Sequence, residues 1–213
     1  MRYMVGIAAA AVVAAASLMS AQSPATQPGH KTGAVPASWH SRLDDPAAKN
    51  TDGAVKEEKD ALSFKTGPAG VYWKDGMKAE KAYELSAVFS QLKPSEAPGI
   101  FGLFIGGQDL DKPTASYTYF VIRQDGKFTI RSKSGASEKR IVDWLDAESM
   151  KEPKGVKTTN TLVVRTEGST VRFLIDDKQV FSLPRAQVAD GLAGIRVNQN
   201  LEVQVSKLTL KKL

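Results

Sequence analysis

Hydrophobic and polar residues alternate with a period of two along most of the chain from Leu62 onward. In the segment 83–90, the apolar members of this alternation are Leu85, Ala87 and Phe89. A period of two is that of a β-strand, in which successive side chains point to opposite faces. The segment 116–123 is dense in β-branched and aromatic residues, which favour strands. Both segments therefore predict strands with one buried face.

Turn residues separate the predicted strands at short intervals. Asp125-Gly126 follows the segment 116–123, and an Asp-Gly pair accepts the positive φ angles of a tight hairpin turn, so 128–131 is predicted as the return strand. The C-terminal third repeats this arrangement, with predicted strands at 161–165, 171–175, 180–183, 192–197 and 201–210. Helix is expected only as single turns, at 185–189 and 146–150. Short strands at near-regular spacing predict an all-β protein, a β-sandwich.

Two regions of the sequence resemble the concanavalin A-like lectins and glucanases, a superfamily of jelly rolls. The first region is GGQDLD at 106–111 with YTYFVIRQDGKF at 117–128, and the second is VRFLIDDKQV at 171–180 with GLAGIRV at 191–197. Within the superfamily, the chain is most similar to exported bacterial domains of the 3-keto-disaccharide hydrolase type, over roughly residues 60–213. The resemblance implies a jelly-roll β-sandwich of two antiparallel sheets, which in this superfamily serves lectins, hydrolases and structural modules alike.

The N-terminal segment has the composition of an export signal. Residues 1–21 begin with a positive charge, continue through an apolar run at 5–16 and end in small residues. A membrane span needs roughly 20 apolar residues, so a cleaved signal peptide is favoured over a retained anchor. Residues 22–38 are rich in Pro, Gly and small polar residues and are predicted to form a flexible linker, which leaves 39–213 as the jelly-roll domain. We expect a periplasmic or secreted protein with no stable membrane insertion after signal cleavage.

The amino-acid composition argues against several classes of site and partner. The chain has no cysteine and two histidines, which excludes disulfides and thiolate metal sites and argues against multi-histidine sites. Its net charge of +6 comes from 29 basic and 23 acidic residues that are mixed along the sequence, as in KEEKD at 56–60. A nucleic-acid-binding protein concentrates positive charge on one face, so no nucleic-acid partner is expected. The expected partner is a carbohydrate, neutral or acidic.

No catalytic motif is recognisable. Retaining glycosidases of the laminarinase type carry Glu-x-Asp-x-x-Glu on one strand, where two carboxylates serve as nucleophile and acid/base. The nearest sequence here, EKDALS at 58–63, has Ser63 in the third position. Motifs for serine hydrolases, zinc peptidases and phosphate-binding loops are absent from the sequence. We therefore expect a non-catalytic carbohydrate-binding domain, with a hydrolase of 3-keto-disaccharides or related glycosides and a protein-interaction module as alternatives.

The face pattern predicts the binding residues. If the apolar members of 116–123 and 191–197 face the core, the opposite face carries Tyr117, Tyr119, Arg123, Arg196 and Asn198. The resemblance implies that this outward face binds the ligand. Tyrosine rings stack on sugars, while Arg and Asn bond hydroxyls or a carboxylate. The alternative is that these residues form solvated cross-strand pairs.

Two further features are candidates for binding. Trp144, inside the acidic segment 143–148, either stacks on a sugar at the rim of the site or caps the sandwich from a loop. Asp109 and Asp111 lie in an oxygen-rich loop, which predicts either a Ca²⁺ site or side chains that stabilise the turn. Because Ca²⁺ takes six to eight oxygen ligands, turn stabilisation is favoured, and no cofactor is otherwise expected.

Overall fold

The chain forms two antiparallel β-sheets that pack face to face. The computed structural model describes residues 35–50, 54–93, 99–150, 158–199 and 201–213. The predicted signal peptide and most of the predicted linker lie outside the described residues. The all-β architecture is confirmed, since the one helical element among the described residues is a single 3₁₀ turn, Arg185–Gln187.

The strands are numbered in chain order. The first sheet contains, in spatial order, β1 (Trp39–Leu43), β4 (Gly70–Lys74), β14 (Gly191–Val197), β7 (Ile100–Gln108), β8 (Ser116–Arg123), β9 (Lys127–Ser134) and β10 (Ser137–Asp146), and β5 (Lys78–Ala79) pairs with β14. The second sheet contains β13 (Lys178–Pro184), β12 (Thr170–Ile175), β11 (Thr158–Glu167), β6 (Tyr83–Gln91), β15 (Leu201–Lys212), β3 (Ala61–Thr66) and β2 (Val55–Glu58). In the part of the chain that the structure describes, no helix is long and apolar enough to cross a membrane.

The core lies between the two sheets and contains the residues that the alternation assigned to it. Leu85, Ala87 and Phe89 of β6 are all buried. The ring centroids of Phe120 on β8 and Phe173 on β12 lie 5.3 Å apart, so the two sheets contact each other through aromatic side chains. Inward-facing residues of both sheets thus form one core, as in a β-sandwich.

The β8–β9 hairpin has a different turn from the one predicted. Only Gly126 has a positive φ, of 85°, and its N–H donates to the Arg123 carbonyl at 3.0 Å. The connection is therefore three residues long, a common hairpin form in which the last residue is left-handed. As a result Arg123 pairs with Lys127, and the whole register of β9 against β8 follows from that pair.

Four strands and one segment differ from the sequence predictions. Strands β1, β2, β5 and β10 were not predicted; β1, β2 and β5 are short, and β1, β2 and β10 lie at the edges of their sheets. Trp144 lies on edge strand β10, so its assignment to a loop is wrong. Residues 146–150 form a turn after β10, in which the Met150 N–H donates to the Ala147 carbonyl at 2.9 Å.

Candidate functional site

A second hydrophobic cluster covers the outer face of the first sheet, away from the core. We call it the outer aromatic layer; its buried members are Val71, Trp73, Phe104, Leu110, Ala115, Tyr117, Tyr119 and Val121. Leu110 and Ala115 belong to the β7–β8 loop, which folds back over the sheet. Tyr117 and Tyr119 therefore lie on the predicted face, but both are almost fully buried instead of solvent-exposed. A strand pattern shows which face a residue occupies, and loop packing decides whether water reaches it.

A pocket of about 310 Å³ opens beside this layer, and we call it the outer-face pocket. Five of the six residues predicted for the site line it: Tyr119, Arg123, Trp144, Arg196 and Asn198. The sequence analysis missed the other lining residues, which are Asp44, Ile100, Val121, Thr129, Arg131 and Glu138. The pocket thus spans β14, β7, β8, β9 and β10, and Asp44 adds a contribution from the loop after β1.

Tyr117 is the one predicted site residue outside the lining of the outer-face pocket. Its ring packs 5.7 Å from that of Phe104 and 6.1 Å from that of Tyr119. Its hydroxyl lies 3.5 Å from Asp44 Oδ1, and burial raises the pKa of Tyr117 to about 12. Tyr117 therefore packs against Tyr119, a residue of the pocket lining, and is not itself placed to contact a ligand.

Arg196 and Asp44 form a two-point ion pair on one side of the pocket. The two Nη atoms of Arg196 donate to the two Asp44 carboxylate oxygens at 2.8 and 2.5 Å, and Lys133 Nζ lies 3.1 Å from Asp44 Oδ1. The Arg196 side chain is 7% exposed and that of Asp44 is 31% exposed. Burial by itself would raise the pKa of Asp44, but the hydrogen bonds and charges of Arg196 and Lys133 outweigh it and hold this pKa well below its ordinary range. Asp44 is therefore a fixed carboxylate.

Tyr119, Glu138 and Arg131 form a second network. The Tyr119 hydroxyl donates to Glu138 Oε2 at 2.6 Å, and Arg131 Nη1 donates to Glu138 Oε1 at 2.7 Å. Burial would raise the pKa of Glu138, but these two hydrogen bonds and the Arg131 charge leave it below its ordinary value. Burial, reinforced by the bond to Glu138, raises the pKa of Tyr119. At neutral pH the pair is a neutral phenol and an anionic carboxylate.

Trp144 contacts two arginines. The guanidinium carbon of Arg123 lies 4.4 Å from the centroid of the Trp144 ring system, and that of Arg131 lies 5.8 Å from it. These are cation–π distances. Arg123 also donates to both carboxylate oxygens of Asp125, at 2.8 and 2.7 Å. Trp144 is half-buried beside the pocket and does not cap the end of the sandwich.

The chemistry of the pocket follows from these pairs. Its lining includes two carboxylates, Asp44 and Glu138, both with lowered pKa values, and three guanidinium groups. Such carboxylates accept hydrogen bonds, whereas a general acid of a glycosidase needs a raised pKa. The guanidinium groups donate hydrogen bonds in fixed directions because partners hold them. The arrangement is therefore suited to binding a molecule rich in hydroxyl groups.

The residues that the sequence analysis missed have identifiable causes. Asp44 follows β1, a strand that was not predicted, so nothing placed it near Arg196. Arg131 lies directly opposite Tyr119, a pairing that depends on the hairpin register. A two-residue turn would have shifted that register by one residue and moved Arg131 to another position. If the connection that ends at Gly126 is taken as three residues long, the sequence places Arg131 opposite Tyr119.

Other candidate features lie away from the pocket lining. The Asp109 carboxylate accepts from Lys112 Nζ at 2.8 Å, and its φ is 50°, as in a turn. Among the described residues, no three His, Cys, Asp or Glu side chains cluster as metal ligands do. The Ca²⁺ site at Asp109 and Asp111 stays a prediction. His40 is exposed, stacks on Trp73 at 5.6 Å and pairs with Asp75.

Comparison with known proteins establishes the fold. No family model matches the chain, and no curated protein matches it. Solved structures do: the carbohydrate-binding module CBM66 of Bacillus subtilis superposes with a TM-score of 0.60 at 11% identity, over 82% of this chain and 95% of the module. The fold is a jelly-roll β-sandwich of two antiparallel sheets. The resemblance stated from the sequence is thus confirmed at the level of the fold.

Two further structures show the same architecture. A protein of unknown function with a galectin-like fold from Bacillus subtilis superposes with a TM-score of 0.56 at 12% identity, over 82% of this chain and 89% of that one. A putative glycosyl hydrolase from Parabacteroides distasonis gives 0.52 at 10% identity, over 83% and 88%. Carbohydrate-binding and glycosidase-like proteins therefore share this jelly roll with the chain. At such low identity, the 3-keto-disaccharide hydrolase type stays a prediction.

Proposed function

We propose that the outer-face pocket binds a sugar unit, and that the protein is an exported carbohydrate-binding domain without catalytic activity. The observation that carries this proposal is the combination of fixed carboxylates and fixed guanidinium groups around one pocket. Its volume of about 310 Å³ lies at the small end of ligand pockets and suits a sugar unit. The N-terminal composition supports export, and the fold supports carbohydrate as the ligand class.

The pocket is prepared for binding before a ligand arrives. Arg196 holds Asp44 in place, and Tyr119 and Arg131 hold Glu138. Because these side chains are already ordered, binding costs little side-chain entropy. The two carboxylates would accept hydrogen bonds from sugar hydroxyls, and Arg131, which is bonded to Glu138, would donate to sugar oxygens.

The alternatives have less support. A hydrolase needs a carboxylic acid that stays protonated, and both carboxylates lining the pocket have lowered pKa values. A protein-interaction module predicts an apolar outer patch of several hundred Å². Among the described residues, the large hydrophobic side chains classed as exposed are Leu145 and Leu213, which lie at the end of β10 and at the C-terminus. A polar pocket is thus the more prominent surface feature.

Thermal unfolding of the full chain against neutral, acidic and 3-keto sugars, with and without Ca²⁺, tests the proposal. A sugar at about 100 times its Kd adds roughly 2.7 kcal/mol to the free energy of unfolding, which shifts the midpoint visibly. We expect Tyr119→Phe to weaken this shift, since it removes the hydroxyl that fixes Glu138. Tyr83→Phe is the matched control, because Tyr83 is a buried tyrosine on the second sheet. Absence of any shift across the panel would contradict the proposal.

A further inference from the structure

The three guanidinium groups of the outer-face pocket differ in how accessible they are to a ligand. Both Nη atoms of Arg196 bond to Asp44, and its side chain is 7% exposed. Its charge is therefore compensated inside the protein, and its main role is to hold Asp44. Arg196 was predicted as a ligand contact, but this geometry makes it a positioning residue.

Arg123 and Arg131 keep donors for a ligand. The bonds to Asp125 engage Nε and Nη2 of Arg123, and the bonds to Thr129 and Glu138 engage Nε and Nη1 of Arg131. A guanidinium carries five N–H donors, so each side chain has further donors beyond these bonds. Their side chains are 23% and 21% exposed, which leaves both accessible from the pocket.

These two arginines are gathered at one place. Both lie against Trp144, with guanidinium carbons 4.4 and 5.8 Å from its ring system. With their ion-pair partners included, the charged groups around the pocket are four positive ones, on Arg123, Arg131, Arg196 and Lys133, and three negative ones, on Asp44, Asp125 and Glu138. The excess of one positive charge favours an anion. Arg196 is almost fully buried behind Asp44, whereas Arg123 and Arg131 are partly exposed beside Trp144. The Trp144 side is therefore where an anionic group is most favourable.

We infer that the pocket binds an anionic sugar unit, with its carboxylate or sulfate group between Arg123 and Arg131 beside Trp144. This inference rests on the proposed function, since it assigns the part of the same pocket that selects the ligand. A carboxylate or sulfate accepts hydrogen bonds from two guanidinium groups at once. The hydroxyls of the same sugar then face Asp44 and Glu138. Arg123 and Arg131 thereby determine specificity, while the two carboxylates recognise features common to all sugars.

Calorimetric titration of the full chain with matched sugars tests this inference. The ligands are oligosaccharides that differ only at C6 of the terminal unit: a hexose, the hexuronic acid and the hexose 6-sulfate. We expect the better of the two anionic forms to bind at least about tenfold more tightly than the neutral form. The two anionic arms distinguish a carboxylate from a sulfate. The preference should shrink as salt is raised, because partly exposed ion pairs are screened.

Substitutions of Arg123 and Arg131 test whether these residues cause the preference for anionic over neutral sugars. Arg123→Gln and Arg131→Gln should each reduce the ratio of anionic to neutral affinity by about tenfold. Arg172→Gln is the matched control, since Arg172 lies on the second sheet and pairs with Glu167. It should leave the ratio unchanged. If Arg131→Gln does not fold, because Arg131 also holds Glu138, Arg123→Gln alone decides the question.

The outcomes separate this inference from the proposed function. If no sugar of any class binds, both are wrong. If neutral and anionic forms bind the wild type equally, the pocket binds sugars but the anionic selectivity is wrong. If the preference exists but survives in Arg123→Gln, the assignment of the selecting residues is overturned.

Discussion

Replacing Asp44 by Asn removes the charge partner of Arg196 with little change in shape. Breaking a buried ion pair by removing one partner costs about 3–5 kcal/mol. The remaining charge is that of Arg196, whose side chain is only 7% exposed, but the new amide oxygen still accepts one of its hydrogen bonds, so we expect about 3 kcal/mol of lost stability. Lys133 adds to the loss, because it also bonds to Asp44 and is left beside Arg196 as a like charge.

The pH dependence of Asp44→Asn gives a second check. The folded-state pKa of Asp44 lies below its unfolded value. Its contribution to stability is therefore fully present above about pH 4 and is lost as the pH falls through the folded-state pKa. The difference between the wild type and Asp44→Asn should narrow on acidification.

Urea unfolding of the full chain at neutral pH and at about pH 3 measures both effects. Asp109→Asn is the control, because Asp109 bonds to Lys112 in an exposed loop. We expect this control to change the free energy of unfolding by less than about 0.5 kcal/mol at neutral pH. If Asp44→Asn behaves like Asp109→Asn, the buried ion pair does not stabilise the site and the reasoning is refuted.

Two other substitutions have defined outcomes. Glu138→Gln should lower sugar affinity about tenfold in calorimetric titration, because it removes a charged acceptor that Tyr119 and Arg131 hold in place; an unchanged affinity would contradict the role of Glu138 in binding. Gly102→Ala should destabilise the fold by about 2 kcal/mol or more in thermal unfolding, because a Cβ there would lie 2.2 Å from the Phe120 carbonyl oxygen. Gly67→Ala, with open space around its Cβ, is the control, and equal melting temperatures for the two variants would refute the steric argument.

The fold was predictable because alternation is a local property. The period of two placed Phe120 in the core and Tyr119 on the opposite face of the same strand, as the structure shows. The turn between the predicted strands 171–175 and 180–183 is local as well: Asp176 and Asp177 both have positive φ values, of 50° and 64°, and join β12 to β13. Such features depend on residues that are close in sequence, so one chain is enough to reveal them.

The site was only partly predictable because it depends on contacts between distant segments. Asp44 and Arg196 are 152 residues apart in sequence, and β1 lies at a sheet edge with only two buried residues. Burial of Tyr119 comes from the outer aromatic layer, which the β7–β8 loop helps to cover. Trp144 looked like a loop residue because β10 is a mostly exposed edge strand with two register shifts. The pattern of hydrophobic and polar residues within one strand does not show which distant segments will contact it.

The most direct test of the central claim is a crystal structure of the full chain with the tightest-binding sugar. We expect sugar hydroxyls within hydrogen-bond distance, about 3 Å, of the Asp44 and Glu138 carboxylates. An anionic group on that sugar should lie between Arg123 and Arg131, beside Trp144. A sugar bound elsewhere, for example on the outer face of the second sheet with the outer-face pocket unoccupied, would contradict the account.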